Sequence, residues 1–324
     1  MQKRPKNKNL RLGHQGQVLQ TTIKSSVAFK GVGLHSGIRS ELTILPASAE
    51  YGIWFHRIDI DTGDALVPAR WDAVTPSRLC TKLINRAGVE VSTVEHVTAA
   101  LAGCGIHNAL IELDGPEVPI LDGSAAEFVR GILGRGIRSL GAPVRVIEIL
   151  QEVEVRDGNA TARLSPANTF EIEFFINFDD AAIGRQRKTL NMANGAFVKE
   201  LCDSRTFCRQ SDVIEMRANG LARGGSLGNA IVVDGDAVLT PGGLRYSDEA
   251  VRHKMLDALG DLSLAGAPLI GRYTGDRAGH ALTNKLLHVL FARPDAYRMK
   301  LCDEETSSRL PGVGVRRADI PAVA

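Results

Sequence analysis

The chain has 324 residues, 44% of them hydrophobic, with 39 basic and 37 acidic side chains and a formal net charge of +2. That size and composition suit a globular protein of two domains, while near-balanced, interspersed charge gives no footprint for nucleic acid and no run reaches the roughly 18 to 20 apolar residues of a membrane span. Five scattered cysteines, Cys80, Cys104, Cys202, Cys208 and Cys302, with no C-x-x-C, argue against a disulfide framework and a thiolate zinc cage.

Residues 1–19 are polar and basic without periodicity, and no signal-peptide core follows Lys3, Arg4, Lys6, Lys8 and Arg11, so a mobile arm on a cytoplasmic protein is expected. The fold begins near Gln20. TTIKSSVAFKGVGLHSG reads as a strand entering a Gly-rich turn, and SELTILPA resumes the alternation as its antiparallel partner. Gly31, Gly33 and Gly37 fit neither the dinucleotide nor the Walker spacing, and no helix follows, which leaves a turn requiring positive φ. GIWFHRID and RLCTKLIN continue the β pattern. In STVEHVTAALAGCG the period changes, with Val94, Val97, Leu101 and Cys104 on one helical face, before NALIELDG returns to a strand. Ser92 with Glu95, and Ser124 with Glu127 ahead of AAEFVRGILGRG, have capping-box spacing, which would fold each glutamate back onto its helix start.

Gly/Pro punctuation at Leu140–Pro143 places a domain boundary, giving a first domain over 20–142, a second over 143–310 and a tail over 311–324. The second domain repeats the order of parts without a residue-level repeat: strands in VRVIEILQEVEV, ATARLSP and FEIEFFINF, a helical stretch in ANGAFVKELCD, then SRTF. Residues 208–240 read as an inserted β-α-β flap, with Asp212 and Glu215 capping VIEMRA, Asn219-Gly220 stopping it, and NAIVVDG as a strand. SDEAVRHKMLDALGDLSLAG, residues 247–266, places Val251, Met255, Leu256, Leu259 and Leu262 at helical spacing and steps His253, Asp257 and Asp261 along another stripe. An isolated His-x-x-x-Asp is ordinarily a solvated helix face, and only a third ligand from elsewhere makes it a metal site. GHALTNKLLHVLF adds a last helix with Leu282, Leu286, Val289 and Leu290 inward, His280 at its entrance, and His288 as packing or surface.

Seven motifs, GVGLHSG (31–37), TVEH (93–96), LDGSA (121–125), SRTF (204–207), HKMLD (253–257), GDL (260–262) and GHALTNK (279–285), stand in an order that resembles the zinc-dependent UDP-3-O-acyl-N-acetylglucosamine deacetylases of lipid A biosynthesis. The resemblance spans about residues 20 to 300. It implies an α+β fold of two similar two-layer sandwich domains with the active site between them. It also implies Zn²⁺ held by His96, His253 and Asp257, three ligands that leave one tetrahedral position open.

By the same resemblance Glu95 is the general base, His280 the acid held cationic by Asp261, and Thr206 the hydroxyl facing the oxyanion. Lys254 is implied to anchor the diphosphate of the UDP-linked acylated amino sugar. Leu34, His35, Cys80 and Phe207 are placed near the mouth of the site. Val213, Ala222 and Val232 are placed along the acyl passage under the flap, where Arg209 and Gln210 are more polar than the family pattern. The expected reaction is hydrolysis of the acetamide to acetate and a free 2-amine, the committed step of that pathway, by a monomer with at most peripheral contact with the inner membrane. Two competing readings use the same residues differently. One is a metal-dependent amidohydrolase acting on another N-acyl sugar; the other is a catalytically idle carbohydrate- or lipid-binding module, which would require a lost catalytic residue.

Overall fold

A computed structural model of the protein describes residues 18–77 and 79–322; the arm expected over 1–19 lies outside the described residues except for its last two. In the first half, five strands lie in the spatial order Val27–Val32, Arg39–Pro46, Ala109–Leu113, Ile53–Arg57 and Leu66–Pro68. In the second half the order is Val153–Asp157, Ala160–Ser165, Leu269–Asp276, Phe170–Asn177 and Arg185–Asn191. Both sheets pair antiparallel, antiparallel, parallel, antiparallel. The second sheet continues through Arg145–Ile149 and Tyr297–Leu301.

Helices repeat as well. α1 (Glu95–Gly103) precedes the central strand of the first sheet and α2 (Ala126–Arg135) follows it. The flap carries α3 (Gln210–Ala218), after which α4 (Glu249–Ser263) precedes and α5 (His280–Phe291) follows the central strand of the second sheet. Strand alternation turns Leu42 and Ile44 inward in one sheet and Phe170, Ile172, Phe174 and Ile176 inward in the other, against these helices. A large apolar core runs through both halves, and a smaller cluster gathers around Val144, Val146 and Ile270. No described helix is long and apolar enough to cross a membrane.

α1 and α4 pack directly on one another, and sequence sets how closely. A Cβ on Gly260 would stand 2.1 Å from the Glu95 carbonyl oxygen, so the crossing requires glycine there. Apart from Arg252, Lys254 and Ser263, every residue of α4 is buried. His253 and Asp257 therefore do not decorate a solvated face, because α1 covers the stripe that the sequence left open.

Several local expectations change in the fold. TTIKSSVAFK is two strands: Leu19–Ile23 pairs with Ile137–Pro143, and only Val27–Val32 pairs with Arg39–Pro46. The punctuation at Leu140–Pro143 thus belongs to a paired ribbon. VRVIEILQEVEV likewise divides into Arg145–Ile149 and Val153–Asp157, and ANGAFVKELCD contributes only a π-helical turn, Phe197–Leu201. Neither serine capping box forms. The Ser92 hydroxyl donates to the Pro116 carbonyl at 3.2 Å, and Ser124 bonds Asp122 at 2.8 Å. In the flap, Asp212 lies in the first turn of α3 and accepts from the backbone and guanidinium of Arg209, the residue that precedes the helix. That pairing draws Arg209 onto its own helix. Of the three glycines in the early turn only Gly37 has positive φ, 68°; a Cβ on Gly33 would meet a carboxylate oxygen of Glu117 at 2.3 Å.

Candidate active site

The entry to α1 is strained. Thr93 has φ 58°, outside the ordinary range of a β-branched residue, and its hydroxyl donates to Glu117 at 2.8 Å. The same buried carboxylate accepts the backbone N–H groups of His35 and Ser36 at 2.9 and 2.8 Å. Glu117 thereby ties the Gly-rich turn to the residue two places before Glu95.

The side chains of α1 and α4 meet across this entry. His253 donates Nδ1–H to the Ser204 carbonyl at 3.0 Å, which leaves Nε2 as a lone pair. Burial pushes its pKa down to about 4, so the ring is neutral near pH 7. That lone pair faces Asp257 Oδ1 at 3.2 Å, and His96 Nε2 stands 3.7 Å from the same oxygen. Among the described residues Asp257 Oδ1 has no hydrogen-bond partner, nor has the buried Nδ1 of His96. Burial opposes the charge on Asp257, but His253, Lys254 and His280 outweigh it and hold the carboxyl well below the usual range. A lone pair and a carboxylate oxygen in contact without a donor are repulsive, and a shared cation removes the conflict. Ligand atoms about 2.0 to 2.2 Å from a tetrahedral ion lie about 3.4 Å apart, which these separations match. Among the described residues, His96, His253 and Asp257 form the one group that offers three ligand atoms within 4.8 Å.

Beside them stand an acid and a base. Glu95 is buried and its pKa is raised, chiefly by that burial. One of its oxygens accepts the Thr81 N–H at 3.1 Å, and the other lies 3.6 Å from His280 Nε2. His280 donates Nδ1–H to Asp261 at 2.9 Å. Burial works against its positive charge, yet Asp261, Glu95 and Asp257 outweigh burial and raise its pKa to about 9.

The pocket over these groups is walled by Leu34, His35, Ile120 and Thr206. Both ring nitrogens of His35 are buried without a partner. Thr206 is fixed through its backbone, donating to the Gly123 carbonyl at 2.8 Å. Phe207 and Cys80 do not line this pocket: Phe207 presents its ring edge-on to His253, 6.3 Å between centroids, and Cys80 is a buried thiol pushed up to about 11 by burial.

Lys254 gives its ammonium to Asp257 Oδ2 at 2.8 Å, so its first partner is a metal-ligand candidate. Val213, Ala222 and Val232 lie in the flap and do not line the catalytic pocket; Val213 is half-buried, and Ala222 and Val232 are buried. The flap tip nevertheless reaches the mouth, where Gly224 and Arg223 donate backbone N–H groups to the Leu34 and His35 carbonyls at 3.1 and 3.2 Å. A larger cavity, about 400 Å³, lies at the other ends of α1 and α4 near Leu101 and Leu262 and includes none of the candidate catalytic side chains.

Sequence reading missed the supports. Thr81 and Glu117 carry no periodic or motif signal for what they hold, and the SRTF motif, which Ser204 opens, assigns it no role of its own. Glu249, in the first turn of α4, accepts the backbone N–H and guanidinium of Arg205 and so anchors the SRTF segment that presents the Ser204 carbonyl.

Unpaired acceptors clustered next to a raised carboxylate and a cationic imidazole make chemical sense together in a metal-assisted hydrolase, and comparison with known proteins returns that class. The family model of UDP-3-O-acyl N-acetylglycosamine deacetylase matches residues 20–292. A protein of Phenylobacterium zucineum called UDP-3-O-acyl-N-acetylglucosamine deacetylase is 49% identical over 288 residues, 89% of this chain and 98% of that one. Proteins of the same name from Shewanella frigidimarina and Shewanella sp. strain ANA-3 are each 43% identical, covering 89% and 92% of this chain and 94% and 99% of theirs. This chain belongs to the UDP-3-O-acyl-N-acetylglucosamine deacetylase family, and it is a hydrolase.

Proposed function

We propose that the protein hydrolyses the acetamide of UDP-3-O-(3-hydroxyacyl)-N-acetylglucosamine, with Zn²⁺ held by His96, His253 and Asp257. The observation that carries the reading is the contact between the His253 lone pair and Asp257 Oδ1 with no donor between them among the described residues, next to a Glu95 whose pKa burial raises and a His280 whose positive charge Asp261 favours. A divalent ion there supplies Lewis-acid polarisation of the amide carbonyl and a lowered pKa for water.

The chain's own groups do the rest. Glu95 takes a proton from the attacking water, and its raised basicity suits that task. His280, kept cationic and aimed by Asp261, steadies the developing oxyanion through Nε2–H and then passes the proton to the departing amine. The Thr206 hydroxyl, in the lining of the same pocket, supplies a second donor. Lys254 neutralises Asp257 from the side away from its free oxygen, and contact with the substrate diphosphate requires a share of the same ammonium. Ala222 and Val232 lie beneath the path assigned to the acyl chain, closed at its tip by the hydrogen bonds between the flap and the Leu34–His35 turn.

The test pairs metal analysis with acetate release from UDP-3-O-(3-hydroxyacyl)-N-acetylglucosamine. About one zinc per chain and turnover that stops on chelation are expected. Full turnover by metal-free protein would sink the reading, while faster turnover of an unacylated N-acetyl sugar would favour another amidohydrolase.

A further inference from the structure

We propose that Thr81 is a positioning residue for this reaction, fixing base and acid relative to one another; the inference rests on the deacetylase reading above. Thr81 is 1% exposed and stands where the first half of the molecule touches the second. Its backbone N–H donates to Glu95 Oε2 at 3.1 Å, and its hydroxyl donates to Asp261 Oδ1 at 2.5 Å. Asp261 Oδ2 receives His280 Nδ1–H at 2.9 Å, and His280 Nε2 returns to within 3.6 Å of Glu95 Oε1. The four residues close a ring of contacts, of which Glu95 and His280 line the catalytic pocket.

The direction of the hydroxyl bond is set by a fifth residue. Asn284 Nδ2 donates to Thr81 Oγ1 at 3.0 Å, which fills the oxygen's lone pair and leaves its proton for the carboxylate. Asn284 is itself buried, and among the described residues its Oδ1 has no partner. A carboxylate as buried as Asp261 needs donors on both oxygens to keep one orientation. Thr81 supplies the second donor. Without it the carboxylate is free to turn about its bond, and the imidazole it aims turns with it, where a misplacement of about 1 Å is enough to cost on the order of 10²-fold in rate.

Thr81→Val removes the hydroxyl at nearly constant shape and keeps the backbone N–H to Glu95. We expect kcat to fall ~10- to 100-fold with KM and zinc content unchanged, because no ligand and no substrate contact is lost. Thr81→Ser should restore most of the rate. Asn284→Ala should cost less than Thr81→Val, and the double variant no more than Thr81→Val alone, since both act through one hydroxyl. Should Thr81→Val fail to fold, Thr81→Ala against Thr81→Ser poses the same comparison.

An activity-free arm follows the His280 Nδ1 proton by NMR in the zinc-loaded protein, where Thr81→Val should move that resonance and Thr81→Ser should leave it near its place. Wild-type kcat in Thr81→Val, or a loss shared equally by Thr81→Ser, would overturn the role. A wild-type protein that releases no acetate would instead defeat the deacetylase reading, and the unmoved or moved Nδ1 proton would then decide the relay by itself.

Discussion

The two halves of the molecule share a five-stranded topology and the same helix placements, yet they contribute unequally to the site. α1, in the first half, brings Glu95 and His96. Its counterpart α4 brings His253, Asp257 and Asp261, and α5 opens on His280, where the counterpart α2 opens on Ala126 and carries no site residue. A repeated framework therefore fixes where the start of α1 crosses α4, and side chains alone decide what each helix brings to that crossing.

Removing ligands from either side should have the largest effect, because a three-ligand site has no spare. His96→Ala in the first half, and His253→Ala or Asp257→Ala in the second, should each abolish stoichiometric zinc and turnover, as read by metal analysis after dialysis. Zinc retained at one per chain by His96→Ala would break the comparison, since the site would then belong to the second half alone.

The acid and the base, also divided between the halves, come next. Glu95→Ala and His280→Ala should each lower kcat by about 10² to 10⁴ while zinc stays bound. The pH profile of kcat/KM assigns them separately. Activity rises with pH as Glu95 loses its proton, above the usual carboxylate range because burial raises it, and falls again as His280 loses its own. The charge of a bound ion lowers what the carboxylates raise, so the basic limb should lie at or below about 9. A profile with no basic limb in the wild type would remove His280 as the acid.

The flap precedes α4 where the first half has, before α1, only the small sheet of Val74–Thr75, Lys82–Ile84 and Glu90–Ser92, and its effect depends on how much acyl chain it grips. Each buried methylene is worth roughly 0.8 kcal/mol, so a 3-O-deacylated substrate should react orders of magnitude more slowly. Trp in place of Ala222 or Val232 should shift preference toward shorter chains. Equal kcat/KM for acylated and deacylated substrates would reduce the flap to a lid.

The smallest effect expected is on stability, at the helix crossing itself. Gly260→Ala places a methyl where the Glu95 carbonyl stands, and α1 and α4 must separate to admit it. Overpacking of this kind costs about 1 to 3 kcal/mol, measurable as a lower denaturation midpoint, with a larger loss in kcat than Gly134→Ala, whose Cβ meets nothing. Equal behaviour of the two variants would mean that the crossing does not set the site.

Much of this was written in the chain. Helical periods marked α1, α4 and α5, alternation marked the inner strands, and the motifs gathered His96, His253, Asp257, Glu95, Asp261 and His280 before any fold was known. The missed elements share a cause. Arg185–Asn191 is an edge strand with no fully buried residue, so it has no apolar alternation, and the central strand Leu269–Asp276 sets Gly271 and Gly275 on its buried face beside Tyr273, which leaves that face few apolar side chains to read.

The supports were hidden more deeply. Thr81 meets Asp261 across 180 residues and Asn284 across 203, and Glu117 reaches a turn 82 residues away. Periodicity records that a side chain is buried, not which partner it is buried against. The ligand types and their spacing on one helix were fixed by sequence, whereas the absence of a donor between His253 and Asp257, the cationic state of His280 and the hold of Thr81 on both acid and base arise only when two similar halves close on one another and exclude water.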